Sequence, residues 1–156
     1  MAQFQIGSIS TGTLRPEDLL PAFVSALESL SPMGTNHPYL GDAYQILEQG
    51  TDDESETKEL LSDIEHELGN LCPPFVYFGT LPGDGADFGF WPDMDSLHEA
   101  MQYVQIFPDE VQADYGVINT DPEYLTLPAE GVIVHVNDHG NVTEMDMERN
   151  VLWDCV

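Results

Sequence analysis

The stretch V-I-V-H-V-N-D-H-G-N-V-T-E-M-D-M, residues 132–147, decides the fold class of this chain. Two runs rich in β-branched and apolar residues flank N-D-H-G-N at 137–141, a composition typical of a hairpin turn. We therefore expect strands at 132–136 and 142–147, and a final strand at 151–156. Since strands joined by so short a turn run in opposite directions, the sheet is predicted to be mainly antiparallel.

The first half of the chain has helical periodicity instead. Apolar residues recur at helical spacing after Pro16, whose fixed backbone suits the first turn of a helix. A second helix is expected over 38–48, with Gly50 as its C-cap. Thr51 and Glu54 match a capping box at the start of a third helix. The apolar stripe predicted for this third helix consists of Leu60, Leu61, Ile64, Leu68 and Leu71.

Shorter elements are expected in the rest of the sequence. Weak alternation predicts a strand at 4–9, and aromatic and branched residues predict strands at 75–80 and 87–91. A fourth helix is expected to begin after Asp93, which is placed as its N-cap. These elements mix both periodicities, so helices and strands are expected to share one core.

The predicted organisation is a single α+β domain over residues 1–156, with N-terminal helices packed on one face of a mainly antiparallel sheet. Residues 1–72 are expected to be mainly helical, and residues 73–156 mainly β with one helix. After Pro108 the sequence is interpreted as a polar, acidic connection that leads to a strand at 115–119.

The net charge is the most unusual property of the sequence. The 156 residues include 29 Asp and Glu against 3 Lys and Arg, which gives a formal net charge of −26. Direct binding of nucleic acid is excluded because phosphate neutralisation needs Lys and Arg, and the same argument applies to an anionic membrane. The N-terminus lacks a signal segment and the two cysteines are too few for a disulfide framework, so a cytoplasmic protein is expected.

Acidic residues are densest in the predicted third helix. Eight of them fall within residues 52–67, which span about 24 Å at a rise of about 1.5 Å per residue, or one charge per about 3 Å. A DNA strand carries one phosphate per about 3.4 Å. The predicted partner-binding set consists of these eight residues and three from a following acidic segment: Asp52, Asp53, Glu54, Glu56, Glu59, Asp63, Glu65, Glu67, Asp93, Asp95 and Glu99.

Three interpretations of this acidity compete. The first is a decoy, in which carboxylates placed like phosphates occupy the basic groove of a nucleic-acid-binding host protein. The second is adaptation to high salt, where screening weakens the repulsion and the acidic surface keeps the domain soluble. The third is a solvated face without a partner. We favour the decoy, a protein that acts by contact without catalysis or cofactor, and a homodimer is compatible with the sequence.

A small divalent-metal-dependent enzyme is a further alternative. Asp84, Asp87, Asp93 and Asp95 supply the hard oxygen ligands that Ca²⁺ or Mg²⁺ prefers, but their spacing does not match an EF-hand. The five histidines are scattered, and none has the spacing of a zinc-binding motif. We therefore predict no metal site.

Four segments of the chain form distinctive motifs: G-T-L-R-P-E-D-L-L-P-A-F (12–23), G-D-G-A-D-F-G-F-W-P-D (83–93), V-N-D-H-G-N-V-T (136–143) and L-W-D-C-V (152–156). They resemble a group of small uncharacterised proteins carried by bacteriophages and plasmids. The resemblance implies a mobile-element context, in which small acidic proteins often inhibit host enzymes that handle nucleic acid. The charge is similar in character to that of DNA mimics that block restriction, whose sequence motifs are not found here.

Overall fold

The computed structural model describes residues 4–51, 53–116 and 123–155. These residues divide into two compact units. We call the first the helical unit, which consists of Gly7–Cys72 and Tyr77–Trp91. We call the second the sheet unit, which consists of the described residues of Met1–Ile6, Pro73–Val76 and Pro92–Val156. Neither unit is a continuous segment of the chain.

The helices of the helical unit confirm the helical periodicity of the first half of the chain. They are α1 (Pro16–Leu30), α2 (Pro38–Gln49) and α3 (Glu54–Asn70). Helix α2 ends at Gly50, whose φ of 71° lies in the region that glycine adopts without strain. The C-cap predicted from the sequence is therefore confirmed.

Aromatic and aliphatic side chains form the core of the helical unit, in which α1 packs against α3. Phe23 is fully buried, and its ring meets that of Phe78 edge-on, with 5.0 Å between the ring centroids. The buried stripe of α3 follows the prediction at three positions. Leu61 and Leu71 are only half-buried, however, and Thr57 is buried although it was not predicted to be.

A three-stranded sheet belongs mainly to the helical unit. Its strands are β1 (Gly7–Thr11), β2 (Val76–Leu81) and β3 (Asp84–Pro92), in the order β1-β3-β2, and β1 runs antiparallel to β3. A Cβ atom at Gly89 would overlap the carbonyl oxygen of Gly7 on the neighbouring strand. Only glycine allows the two backbones to approach this closely.

The start of α3 differs from the predicted capping box of Thr51 and Glu54. Asp53 is the N-cap, and its carboxylate accepts hydrogen bonds from the N–H groups of Ser55 at 2.9 Å and Glu56 at 3.4 Å. Thr51 accepts a bond from the Asp53 N–H and donates one to the Glu56 carboxylate. A carboxylate is the stronger acceptor at the positive end of the helix dipole, which explains why aspartate takes the cap.

A four-stranded antiparallel sheet forms one side of the sheet unit. Its strands are β4 (Leu125–Leu127), β5 (Val132–Val136), β6 (Val142–Asp146) and β7 (Val151–Cys155), which lie in chain order. The strands predicted around the hairpin are confirmed. Strand β4 was not predicted, because three residues are too short for an alternating pattern to stand out.

The hairpin turn between β5 and β6 is organised by one asparagine side chain. Asn137 accepts hydrogen bonds from the N–H groups of His139 at 2.9 Å and Asn141 at 3.0 Å. Gly140 has a φ of 84°, which explains the glycine in this turn. The predicted turn is confirmed, and it is held by side-chain hydrogen bonding to the local backbone.

The sheet unit also contains α4 (Met94–Ile106) and α5 (Pro108–Tyr115). Helix α5 shows that the predicted polar connection after Pro108 is wrong. Proline at the first position, two acidic residues in the first turn and the buried Val111 together specify a helix. The strand predicted over 115–119 begins on the last residue of α5, and residues 117–119 lie outside the described part of the chain.

The core of the sheet unit lies between its helices and one face of its sheet. Val104 and Val111 from the helices are buried in the same cluster as Val134 and Trp153 from the strands. The indole N–H of Trp153 donates to the carbonyl oxygen of Pro74 at 3.2 Å, which satisfies its only donor.

The α+β class is confirmed, since helices dominate the first half of the chain and the paired strands run mostly antiparallel. Among the described residues, the strands form two sheets where one was expected, and the second half of the chain contains two helices where one was expected. The additional helix arises in a segment whose periodicity is short. The single domain over 1–156 stays a prediction.

Candidate functional site

The acidic residues predicted to bind a partner are divided between the two units. Those from Asp53 to Glu67 belong to α3 and its cap, in the helical unit. Asp93, Asp95 and Glu99 belong to α4 and its cap, in the sheet unit. Asp52 lies outside the described residues. The predicted set is therefore treated below as two separate surfaces.

The exposed face of α3 carries a row of carboxylates. Glu56, Glu59 and Asp63 are all solvent-exposed, and their spacing of three and four residues places them along one side of the helix. Like charges at this spacing repel and disfavour an isolated helix. The buried stripe on another side of the helix, which includes Ile64 and Leu68, holds α3 in the fold despite this repulsion. We call these three residues the α3 acidic face.

Other acidic residues of α3 lie near a basic side chain or are partly buried, whereas Glu56 accepts a hydrogen bond from the Thr51 hydroxyl. Lys58 Nζ lies 2.7 Å from Glu54 Oε1, so the single basic residue of α3 is paired beside the acidic face. Glu67 Oε2 lies 3.9 Å from His37 Nε2. Glu65 is half-buried, and this burial raises the pKa of its carboxyl. These residues are less available to a partner than the α3 acidic face.

The start of α4 uses one predicted partner-binding residue for its own structure. Asp93 accepts hydrogen bonds from the backbone N–H of Ser96 at 3.0 Å and from its hydroxyl at 2.7 Å. These bonds lower the pKa of the Asp93 carboxyl. Asp95 and Glu99 are exposed. Asp93 is thus an N-cap, as also predicted, and the other two are free to face solvent.

Two of the aspartates considered as cation ligands accept hydrogen bonds from within the protein. Asp84 accepts the N–H of Ala86 at 3.0 Å, and Asp87 accepts the hydroxyl of Ser8. Within residues 4–51, 53–116 and 123–155, no cluster of three or more His, Cys, Asp and Glu side chains is arranged to hold a metal ion. The segment around β3 is therefore explained by turn and strand geometry.

A cavity of about 550 Å³ opens within the sheet unit, beside α4, α5 and the turn between β4 and β5. Its apolar lining includes the rings of Phe75, Tyr103 and Tyr115 and the aliphatic side chains of Val104 and Val111. This volume lies within the range of about 300–1,000 Å³ that is usual for small-molecule sites. We call it the α4–α5 cavity.

Carboxylates supply the charge of the α4–α5 cavity. Glu99 of α4, Asp114 of α5 and Glu130 of the β4–β5 turn line it, and no Lys, Arg or His is among its described lining residues. Partial burial and the negative charges of Glu110 and Asp114 raise the pKa of Tyr103. The cavity therefore combines aromatic surface with an uncompensated negative potential.

A buried carboxyl lies in the core of the sheet unit. Glu144 is fully buried on β6, opposite Val134 on one neighbouring strand and Trp153 on the other. Neither carboxylate oxygen has a hydrogen-bond partner among the described residues. Burial raises the pKa of Glu144 to about 8, while the neighbouring Trp153 side chain opposes this shift and the negative charge of Glu130 adds to it. A carboxyl in such a site holds its proton near neutral pH.

Sequence reasoning missed most of these residues of the sheet unit. Asp114 was assigned to a polar connection, and Tyr103, Glu130 and Glu144 were not singled out. The available signal was Pro108 followed by two acidic residues, which is typical of a helix start. Recognising α5 would have placed an acidic and aromatic helix next to α4.

Neither cysteine forms a disulfide. The Cys72 thiol is half-buried and donates to the carbonyl oxygen of Leu68 at 3.3 Å. Burial raises the pKa of Cys72 to about 11, which disfavours the reactive thiolate.

The described features define a strongly acidic α+β protein with an exposed acidic helix face in one unit and an acidic, aromatic cavity in the other. Comparisons with protein-family models, curated proteins and solved structures find no match to this chain. None of the described helices is long and apolar enough to cross a membrane.

Proposed function

We propose that this protein binds a basic partner through the α3 acidic face and blocks the groove in which that partner binds nucleic acid. The observation that supports this proposal is the row formed by Glu56, Glu59 and Asp63, exposed on a helix that is anchored by its buried side chains. The resemblance to phage and plasmid proteins adds a setting, in which the partner is a host protein and the complex forms in the host cytoplasm.

The physical case rests on charge spacing and preorganisation. Successive carboxylates of the row are separated by about 4.5–6 Å along the axis of α3, and the whole acidic segment averages one charge per about 3 Å. A groove that binds DNA presents Lys and Arg at intervals set by phosphates about 3.4 Å apart. Because the folded helix already fixes the carboxylates, binding does not have to order them. The net charge of −26 also accelerates encounter with a basic surface.

The experiment compares two triple variants of equal charge. Glu56→Gln, Glu59→Gln and Asp63→Asn remove the α3 acidic face, whereas Asp109→Asn, Asp138→Asn and Glu148→Gln neutralise three exposed residues of the sheet unit. A pull-down from bacterial lysate at low and high salt identifies the partner, and its affinity for each purified variant is then measured with and without duplex DNA. We expect about tenfold weaker binding by the α3 variant and less than about threefold by the control.

Two results would contradict the proposal. Equal weakening by both triple variants would show that overall charge, and not the α3 acidic face, determines binding. A complex that forms equally well in excess duplex DNA would show that the protein does not occupy the nucleic-acid groove.

Adaptation to high salt is the second candidate, and the ratio of 29 acidic to 3 basic residues favours it. It predicts that the wild-type protein unfolds as NaCl is lowered below about 1 M, because weaker screening increases self-repulsion. Thermal unfolding across a NaCl series distinguishes the two. A melting temperature that changes little down to about 0.1 M salt favours the binding proposal.

A further inference from the structure

We propose that the α4–α5 cavity is a binding site for a small organic cation, an ammonium or guanidinium group carried on an apolar or aromatic body. The juxtaposition that supports it is a cavity of about 550 Å³ whose rings and aliphatic side chains are bordered by carboxylates from three different elements. This site lies within the sheet unit and does not depend on the α3 acidic face.

The charge of the ligand follows from the lining. Glu99, Asp114 and Glu130 are exposed and form no ion pair with any described basic residue. A bound cation would gain their attraction together with the negative faces of the Tyr103 and Tyr115 rings. An anion would be repelled by the same groups. The potential of three unpaired carboxylates around one concave surface therefore selects for positive charge.

The organic body of the ligand follows from the size and apolar surface of the cavity. A bare metal ion needs a compact cage of oxygen ligands at about 2–2.6 Å, which the described residues of the sheet unit do not form. Phe75, Val104 and Val111 contribute carbon surface that a hydrated ion cannot use. A ring-bearing amine would bury its apolar part there and leave its charged group among the carboxylates.

The probe for this proposal is 2-phenylethylammonium, with 2-phenylethanol and phenylacetate as its neutral and anionic counterparts. Binding is measured by calorimetry and by amide chemical-shift changes in the full chain at about 0.15 M NaCl, where long-range attraction is screened. We expect the ammonium to bind at least about tenfold more tightly than the alcohol, and the carboxylate not to bind. The shift changes are expected at lining positions such as Ala100 and Ala129.

Matched variants test which charges matter. The first variant combines Glu99→Gln, Asp114→Asn and Glu130→Gln. It should lower the affinity for the ammonium about tenfold or more and leave the weak affinity for the alcohol unchanged. The control triple of Asp109, Asp138 and Glu148, neutralised in the same way, should change the affinity for the ammonium by less than about twofold. All of these side chains are exposed, so both variants retain the fold.

A second variant tests the aromatic part of the lining. Tyr103→Ala should lower the affinity for the ammonium, because it removes a ring from the cavity while leaving the three carboxylates. Three results would overturn the proposal: the alcohol binding as tightly as the ammonium, both triple variants weakening binding equally, or shift changes spread over acidic surfaces outside the cavity.

Discussion

The α3 acidic face and the core position of Glu144 hold the same chemical group in opposite environments. Glu56, Glu59 and Asp63 keep their carboxylates in water, on a helix whose buried side chains are mainly apolar. Glu144 lies fully buried between Val134 and Trp153.

The difference shows that net charge alone says little about how acidity affects this protein. Exposed carboxylates interact weakly with one another through water, so their number influences association more than folding. A buried carboxyl must either lose its charge or be ionised in a medium that solvates it poorly. We therefore expect one residue, Glu144, to affect stability more than the three residues of the α3 acidic face together.

Glu144→Gln is expected to have the largest effect, and this effect should depend on pH. The pKa of Glu144 is about 8 in the folded state, against an ordinary value of 4.5. Between these two pKa values the folded state keeps a proton that the unfolded state has released. The free energy of unfolding therefore falls as pH rises, and this decrease is complete above about pH 8. The shift corresponds to a loss of up to about 5 kcal/mol.

Urea unfolding at pH 5, 7 and 9 measures this dependence. Glutamine has the same shape but does not titrate, so the variant should gain stability relative to wild type as pH rises. The matched control is Glu148→Gln, an exposed position two residues after the end of β6, where the difference from wild type should stay constant. Parallel pH profiles for wild type and Glu144→Gln would show that Glu144 is not the group that titrates.

The fold was predictable from sequence where periodic patterns are long. Helices α1 and α3 and the hairpin around Asn137 are each predicted from a pattern with a turn or cap signal, and all three elements are confirmed. For α3, three of the five stripe positions are buried and the cap is Asp53 instead of Thr51. Helix α5 has only 8 residues and β4 only 3, so neither displays enough repeats of its period to be recognised. The division into two sheets depends on long-range pairing, which local patterns do not encode.

The candidate sites were likewise predictable only where their residues repeat within one element. The α3 acidic face could be predicted because it repeats along one helix. The α4–α5 cavity could not, because its carboxylates come from α4, α5 and the β4–β5 turn, which are far apart in the sequence. Glu144 occupies a position on β6 that alternation assigns to the core, yet its charge argues for the surface. Burial of a carboxyl is visible only in the folded structure.

Asp93 represents an intermediate case, a half-buried residue whose carboxylate is hydrogen-bonded to the backbone. Asp93→Ala should lower the free energy of unfolding by about 1 kcal/mol, the usual effect of losing an N-cap. Hydrogen bonds from Ser96 lower the pKa of Asp93 below its ordinary value of 3.8. The stabilising effect is therefore present above that value and is lost as pH falls through the lower, folded-state pKa.

Unfolding measured at pH 7 and at pH 2.5 checks this prediction. Asp93→Asn should retain most of the stability, because its amide oxygen can still accept the Ser96 N–H. Asp95→Asn is the matched control, since Asp95 lies in the first turn of the same helix and is exposed. If Asp93→Ala and Asp95→Asn had equal effects, general charge at the helix start, and not capping, would account for the loss.

Neutralising the α3 acidic face is expected to have the smallest effect on stability, and this effect should be a slight gain or none. Glu56→Gln, Glu59→Gln and Asp63→Asn relieve repulsion between neighbours on the helix, so the triple variant should be as stable as wild type or more stable by less than about 1 kcal/mol. The gain should shrink as NaCl is raised, because salt screens exposed charges but not packing. A loss of stability in this variant, measured by thermal unfolding at low salt, would mean that the acidic face contributes to the fold. If the variant instead keeps its stability and loses partner binding, the α3 acidic face serves binding and is not needed for folding.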